Sequence, residues 1–349
     1  MNVLIIGGNG FFGSKLREEI SKDHHFVVES GGRNKMSVAK TVIVDLNDFE
    51  NAIITLVKFD VIINTAEPPI KKIIERLVHW VVNNNKLFIE TTASIEHTLQ
   101  FLDLERTYDN LKADGKGKII FGAGVFPGLS NLMVSHHITF YPDQKNIILG
   151  LRYSIFSGAG KGMCKLMSKT LTEPSKWLIN SKLEKGPPVA QQKKMVWKDG
   201  PHPSMQVYLA DLEYYIQPPL LSSFETYLSL KPDWLNYTGS IFNLIPSNEL
   251  IKDLMTKWFF LLRGKLFGKR RTDLEILVHD GTHRSILHVS DAFASGGISI
   301  AMLVSKYRLG GVFQGGGIYR FNSLITIEEI HGLLHKNELW NIKFQLTHE

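Results

Sequence analysis

The sequence predicts an α/β protein, a doubly wound parallel sheet followed by a second, mixed α+β domain. Three observations carry that reading. A short apolar run, Asn2 to Ile6, ends in glycines and leads into a helix-spaced segment. Strand-like and helix-like runs then alternate as far as Phe121, the pattern that builds a parallel sheet covered on both faces. Beyond Pro127-Gly128 longer strand-like runs and separate helices take over.

Asn2 to Ile6 is the first strand, and Leu16 and Ile20 give Ser14 to Ile20 helical spacing. Phe26 to Ser30 and Val42 to Val44 read as strands two and three, Asp48 to Leu56 as a helix, and Val61 to Asn64 as strand four. A helix from Ile70 to Asn84, a strand from Leu87 to Glu90, a helix from Glu96 to Leu111 and a strand from Lys118 to Phe121 complete the first domain. In the second, Asn146 to Phe156, Met205 to Tyr208, Leu274 to His279 and Arg284 to Val289 are strand-like, and Asp291 to Lys306 is helical. A glycine-rich run, Gly310 to Gly317, and a helix from Ile327 to His335 close the chain. Glu184 to Pro203, with its prolines, glycines and the polar run Gln191-Gln192-Lys193-Lys194, is expected to be a surface loop and a candidate lid. The expected domains are 1–126, 127–308, and a C-terminal segment, 309–349.

At 349 residues the chain suits two cores rather than one. With 44% hydrophobic and 21% charged residues it falls in the range of folded globular proteins, which excludes a disordered or fibrous chain. The net charge of +6 is spread along the chain instead of gathered into one arm, so nucleic acid is not an expected partner. The exception is Arg263 to Arg271, which follows the apolar Trp258 to Leu262. It suits either weak contact with an anionic membrane surface or a helix packed on the other domain. Cys164 stands alone and no Cys/His set has zinc spacing, so a reducing compartment and no metal are expected. No secretory leader pattern is visible, and a cytoplasmic location is expected.

Gly8-Asn9-Gly10-Phe11-Phe12-Gly13, preceded by Gly7, matches G-x-G-x-x-G between a strand and a helix, the setting in which this motif holds a dinucleotide. Gly8 is read as the tight-turn glycine, Gly10 as the one that admits backbone N–H groups to the pyrophosphate, and Gly13 as the helix-packing one. The helix N-terminus adds unpaired N–H groups and partial positive charge. Such a Rossmann-type domain selects its nicotinamide cofactor at the second strand's end, where an acid grips a ribose hydroxyl or an arginine accepts a 2′-phosphate. Glu29 is the candidate acid, or a residue pointing into the sheet; Gly32-Arg33-Asn34 supplies a guanidinium, or a solvated loop charge. NADP is the expected cofactor, with NAD as the alternative. The glycine-rich Ser157 to Gly162 lacks the order of a P-loop and reads equally as an anion contact or a plain turn. Tyr141 to Lys145 and Tyr227 to Lys231 have Tyr-x-x-x-Lys spacing, but Pro142 and Pro232 argue against the helical dyad of short-chain dehydrogenases.

Several of these segments together resemble the saccharopine dehydrogenase family: Gly7 to Gly13, Gly32-Arg33, Asp45-Leu46-Asn47-Asp48, Val61 to Pro68, and Gly122 to Asn131. The resemblance implies a Rossmann-type doubly wound parallel sheet with a second mixed α+β substrate domain, and a C-terminal segment that returns to the first domain. It further implies NAD(P)-dependent hydride transfer to or from a carbon bonded to nitrogen, on a small amine, imine or keto substrate in a cleft between the domains, in a homodimer. Asp45, Ala66, Glu67, Pro68, Thr91, Gly124, Phe126 and Pro127 would border the cofactor, with Thr92 near the cleft; Glu67 also reads as a helix-start acid. One departure stands out, because the family often carries an acid where this chain has Phe126, which points to a less polar substrate. Glu90, Glu96, His97, His279 and His283 lie near predicted strand ends and are acid/base candidates without a motif, so the catalytic residue stays open. The alternative is a dinucleotide-binding or membrane-peripheral protein without turnover.

Overall fold

The computed structural model describes residues 1–34, 41–108, 116–154, 160–216, 220–262, 273–311, 313, 315–336 and 344–348. The basic run Arg263 to Arg271, the start of the run Ser157 to Gly162, and parts of Gly310 to Gly317 lie outside the described residues. The chain divides into two compact units, Met1–Leu129 with Phe293–Ile330, and Ser130–Ala292 with His331–Glu349.

In chain order the elements begin β1 (Asn2–Ile6), α1 (Phe11–Ile20), β2 (Val27–Gly32), β3 (Thr41–Ile43), α2 (Phe49–Leu56), β4 (Val61–Asn64), α3 (Lys71–Asn83), β5 (Leu87–Glu90), α4 (Ile95–Tyr108) and β6 (Lys118–Phe121). They continue with α5 (Leu129–Phe140), β7 (Asn146–Ser154), α6 (Lys161–Thr170), β8 (Ser175–Ile179), β9 (Lys182–Gly186), β10 (Gln192–Trp197), β11 (Gly200–Gln206), α7 (Glu213–Ile216) and β12 (Ser223–Lys231). Then come α8 (Trp234–Tyr237), α9 (Glu249–Leu262), β13 (Leu274–His279), β14 (Arg284–Val289), α10 (Ala292–Arg308), β15 (Gly317–Arg320), α11 (Ile327–Lys336) and β16 (Phe344–His348).

The first unit holds a seven-stranded sheet in the order β15-β6-β5-β4-β1-β2-β3, parallel throughout. The order from β3 to β6 is that of a doubly wound dinucleotide fold, with β15 added beyond β6. Its central strands β1, β4 and β5 are buried on both faces, which is why Val3-Leu4-Ile5, Val61-Ile62-Ile63 and Leu87-Phe88-Ile89 are continuous apolar runs rather than alternating ones. On α3, Ile73, Ile74, Leu77, Val78 and Val81 form the single stripe that a helix covering a sheet requires. Gly296 and Gly297 let α10 approach α1 closely, since a Cβ on Gly297 would stand 3.3 Å from the Leu16 Cα.

The second unit is built on a nine-stranded mixed sheet whose main path runs β10-β11-β12-β7-β13-β14-β16, with β8 and β9 paired beside β12. Among the described residues of this unit only β7 and β12 pair in parallel. One face carries Ile147, Leu149, Leu151, Phe224, Leu228, Ile276 and Val278, all buried. Over the other face β10 folds inward, so that Met195 and Trp197 pack with Tyr227, Leu277 and Ile286. Gly150 makes room for them, because a Cβ there would meet Met195 Cε at 2.8 Å and Trp197 Cη2 at 2.9 Å.

This arrangement corrects the expected loop and lid over Glu184 to Pro203, most of which lies in strands β9, β10 and β11, with connections at 187–191 and 198–199. On β10, Met195 and Trp197 are buried while Gln192, Lys194 and Val196 between and beside them are exposed, so a polar-looking run is partly core. Pro201 and Pro203 are tolerated in β11 because β12 pairs with that strand only from Met205 onward, leaving their other side without a ladder.

Candidate dinucleotide site

The loop after β1 is held shut by its own backbone. Gly7 N–H donates to the Gly31 carbonyl at 2.8 Å, Gly8 N–H to Ile5 at 2.9 Å, and Gly10 N–H to Gly7 at 2.7 Å. The left-handed residue is Gly7, at φ +79°, and not Gly8, the one expected to make the turn. Gly8 is required for a different reason, since a Cβ there would lie 2.7 Å from Ser30 Oγ and 2.8 Å from the Ile5 carbonyl. A Cβ on Gly13 would lie 2.2 Å from the Gly7 carbonyl and 2.7 Å from Thr65 Oγ1. The cradle therefore exists only with glycine at these positions. No side chain caps α1 and no acid stands in its first turn, so the helix start keeps the polarity that favours an anion. Phe11 and Phe12 lean on Phe293 of α10, at ring-centroid distances of 4.9 and 6.2 Å.

At the β2 exit the two candidate residues lie apart. Glu29 pairs with Leu4 in the middle of the strand, three residues or about 10 Å short of Gly32. Arg33 and Asn34 follow the strand end and are exposed. Gly32 has no atom within 4 Å of a built Cβ, whereas Gly31 packs against Val44 and Leu4 and is the glycine that the sheet needs. A residue without a sequence motif joins this corner. Arg17, one turn beyond Gly13 on α1, donates to Ser30 Oγ at 3.0 Å and Asn9 Oδ1 at 3.3 Å. Both partners are neutral, and Arg17 forms no ion pair among the described residues. Asn9 reaches Thr41 Oγ1 at 3.3 Å, and the Asp45 carboxylate accepts the Asn47 N–H at 3.0 Å.

Across the loop, Thr65 and Ala66 wall Gly7, whose Cβ would meet the Ala66 nitrogen at 2.9 Å. Glu67 is exposed and precedes Ile70, the N-cap of α3, so it is no first-turn acid of that helix. Below them Asn64 Nδ2 donates to Glu90 Oε2 at 2.8 Å, and Thr92 N–H to Glu90 Oε1 at 3.0 Å. Glu90 is fully buried, and burial pushes its carboxyl up to about 8 against the hydrogen bonds from Asn64 and Thr92. It ties β4 to β5 and does not face solvent. Thr91 Oγ1 donates to the Asn64 carbonyl at 2.9 Å, and Gly124 lies against Thr91, its Cβ position 3.1 Å from the Thr91 carbonyl. Gly128, at φ +139°, closes the turn that contains buried Phe126 and Pro127; a Cβ there would meet the Gly124 carbonyl at 1.8 Å. His97, half-buried at the start of α4, lies 2.9 Å from Ser94 Oγ, while Glu96 is exposed.

The second unit holds its own polar groups. Tyr227 and Lys231 lie on strand β12, where four residues span about 13 Å, so they form no dyad. Burial, with Lys193 nearby, holds the His279 imidazole down at about 4, and His283 stacks on Tyr141 at 4.0 Å. Asp211, which has no motif around it, is fully buried and accepts a hydrogen bond from Ser130 Oγ; burial lifts its carboxyl to about 6. Asp211 Oδ2 and both side-chain polar atoms of Asn131 have no hydrogen-bond partner among the described residues. Arg152 is buried and meets Asp199 at 2.5 Å and Glu275 at 3.5 Å.

No protein-family model matches the sequence, and no curated protein matches it either. Solved structures do. The chain aligns over 100% of its length with 99% of apo saccharopine dehydrogenase (L-Glu forming) from Saccharomyces cerevisiae, at TM-score 0.58 and 12% identity. The chain has the saccharopine dehydrogenase-like fold. Homospermidine synthase from Legionella pneumophila, in complex with NAD, matches 99% of the chain over 91% of its own length, at TM-score 0.54 and 9% identity. At these identities the likeness is one of fold.

Proposed function

We propose that this protein is an NADP-dependent oxidoreductase that moves a hydride to or from a carbon bonded to nitrogen, on a small amine, imine or keto substrate. The observation that carries the reading is the glycine cradle over the open start of α1, a shape that a Cβ at Gly7, Gly8 or Gly13 would fill. When bound, the nicotinamide would supply or accept the hydride, and the protein's task is to hold and orient. The α1 N–H groups hold the pyrophosphate. Arg33, backed by Arg17, takes the 2′-phosphate, with Glu29 too deep in β2 to grip a ribose hydroxyl. Ala66, Glu67 and Pro68 border the nicotinamide ribose. We assign proton transfer at the substrate to His97, which stands in the first turn of α4 and contacts Ser94 Oγ of the half-buried Thr92–Ser94 turn that follows β5. Buried Cys164 suits a cytoplasmic enzyme.

The test is a titration of NADPH against NADH. Arg33→Ala is expected to weaken NADPH by about 10- to 100-fold, the size of a lost charged hydrogen bond, and to leave NADH within about twofold. Arg17→Ala should act in the same direction and less strongly. Equal losses for both cofactors would reject the NADP assignment, and binding of neither by the unaltered protein would reject the reading itself. His97→Asn should lower kcat by about 100-fold with NADPH affinity unchanged; an unchanged kcat would remove His97 from the reaction.

A further inference from the structure

We propose that the turn Asp23-His24-His25, between α1 and β2, binds a divalent transition metal ion of the zinc class. Three donors converge there from three consecutive side chains. One imidazole nitrogen each of His24 and His25 and a carboxylate oxygen of Asp23 all lie within 4.8 Å of one another. Among the described residues no other group of three or more histidine, cysteine, aspartate or glutamate side chains does so. Zinc holds imidazole nitrogen and carboxylate oxygen at about 2.0–2.2 Å, so two ligand atoms of a tetrahedral site stand about 3.4 Å apart. The group brackets that spacing, because its shortest separation, His25 Nδ1 to Asp23 Oδ1, is 2.7 Å and its widest is at most 4.8 Å. Small side-chain rotations bring all three to one ion.

Consecutive ligands fall outside the spacings from which zinc sites are read, because neighbouring side chains of an extended segment point to opposite faces. Here the chain turns instead. Asp23 N–H donates to the Ile20 carbonyl at 3.2 Å, Phe26 N–H to the Asp23 carbonyl at 3.1 Å, and His25 N–H to Asp23 Oδ1 at 3.0 Å. The turn puts both imidazoles on one side, with ring centroids 4.0 Å apart. Two rings at this distance repel each other as cations and cooperate as neutral ligands. Asp23 enters as the anion, since the His25 N–H and the His25 ring, with Arg308 beyond them, hold its carboxyl below the usual carboxylate range. Two imidazoles with one carboxylate suit zinc, nickel or copper, whereas magnesium and calcium take oxygen ligands. Both histidines are exposed and Asp23 is partly so, which leaves room for water to complete the coordination. The turn lies at the amino end of β2 and the glycine cradle at the carboxyl ends of β1 and β2, with the six residues of β2, about 17 Å, between them. The ion therefore acts on the fold, stapling the end of α1 to the start of β2, and not on the dinucleotide.

Isothermal titration of zinc chloride into the full, untagged chain, freed of metal with EDTA, tests the proposal. One zinc ion per chain is expected at this turn. The double variant His24→Ala/His25→Ala should bind it at least about 100-fold more weakly, since even the outer partners of metal ligands are worth about 10- to 100-fold. Magnesium chloride should give no comparable binding. Saturating zinc should raise the melting temperature of the unaltered protein by about 2 °C or more and leave that of the variant where it was. Without metal the two proteins should melt together, because both rings are exposed. Absence of zinc binding, or equal binding and stabilisation in the variant, would overturn the proposal, and so would magnesium binding as strong as that of zinc. No cofactor is present in the titration, so loss of the oxidoreductase reading would leave this outcome untouched.

Discussion

Gly13→Ala is expected to reduce NADPH affinity by about 10- to 100-fold and to lower the melting temperature, whereas Gly32→Ala, at the end of neighbouring β2, should change affinity by less than about twofold. The contrast rests on space. A methyl on Gly13 arrives 2.2 Å from the Gly7 carbonyl oxygen, a backbone atom that cannot swing aside as a side-chain tip would. That carbonyl already accepts the Gly10 N–H at 2.7 Å, and Gly7 is itself pinned to Gly31. Relief must therefore come from pushing α1 away from the loop, which moves the N–H groups proposed to hold the pyrophosphate. Overpacking of this kind costs about 1–3 kcal/mol, and each 1.4 kcal/mol is tenfold in affinity. Gly32 has open space around it, so alanine there adds nothing to collide with. Isothermal titration of both variants decides the matter; similar losses at the two positions would mean that the loop binds by some feature other than its shape.

The first unit was largely legible because its signals are local. Strands buried on both faces appear as continuous apolar runs, and β1, β4, β5 and β6 begin and end within a residue of their expected bounds. The glycine loop reads directly because strand, turn and helix are contiguous. The second unit hides its structure. Helix α5 is buried on nearly every side, so it lacks the one-sided period by which a helix is recognised. Strand β10 looked like loop because Lys193, Lys194 and Gln192 mask the alternate burial of Met195 and Trp197. The site shows the same division. Arg17 is visible as a residue one turn past Gly13, but its partners Ser30 and Asn9 meet it only when β2 folds beside α1. Asp211 stands 81 residues from Ser130, and no spacing rule connects them.

Glu90 gives the protein a fall in stability between about pH 5 and pH 8, which Glu90→Gln should remove. The sign follows from the direction of the shift. Unfolded, the carboxyl titrates near 4.5; folded and fully buried, it titrates at about 8. Below the lower value both states are protonated and burial carries no charge penalty. As pH rises from 4.5 to 8 the unfolded chain releases the proton while the folded one retains it, so stability declines, and above 8 both are ionised and the decline stops. At about 1.4 kcal/mol per pH unit the full loss amounts to several kcal/mol, a large share of a marginal total. Glutamine keeps the shape and cannot ionise, but it offers one acceptor where Asn64 and Thr92 supply two donors, so the variant starts lower by about 1–3 kcal/mol at acid pH. Urea denaturation at pH 5, 7 and 9 should therefore find the unaltered protein more stable than Glu90→Gln at pH 5, the gap closing near pH 7 and reversed by pH 9. A gap that is constant with pH would mean that Glu90 is ionised in the folded state throughout. Asn64 and Thr92 would then hold a charge, and the buried ends of β4 and β5 would be anionic.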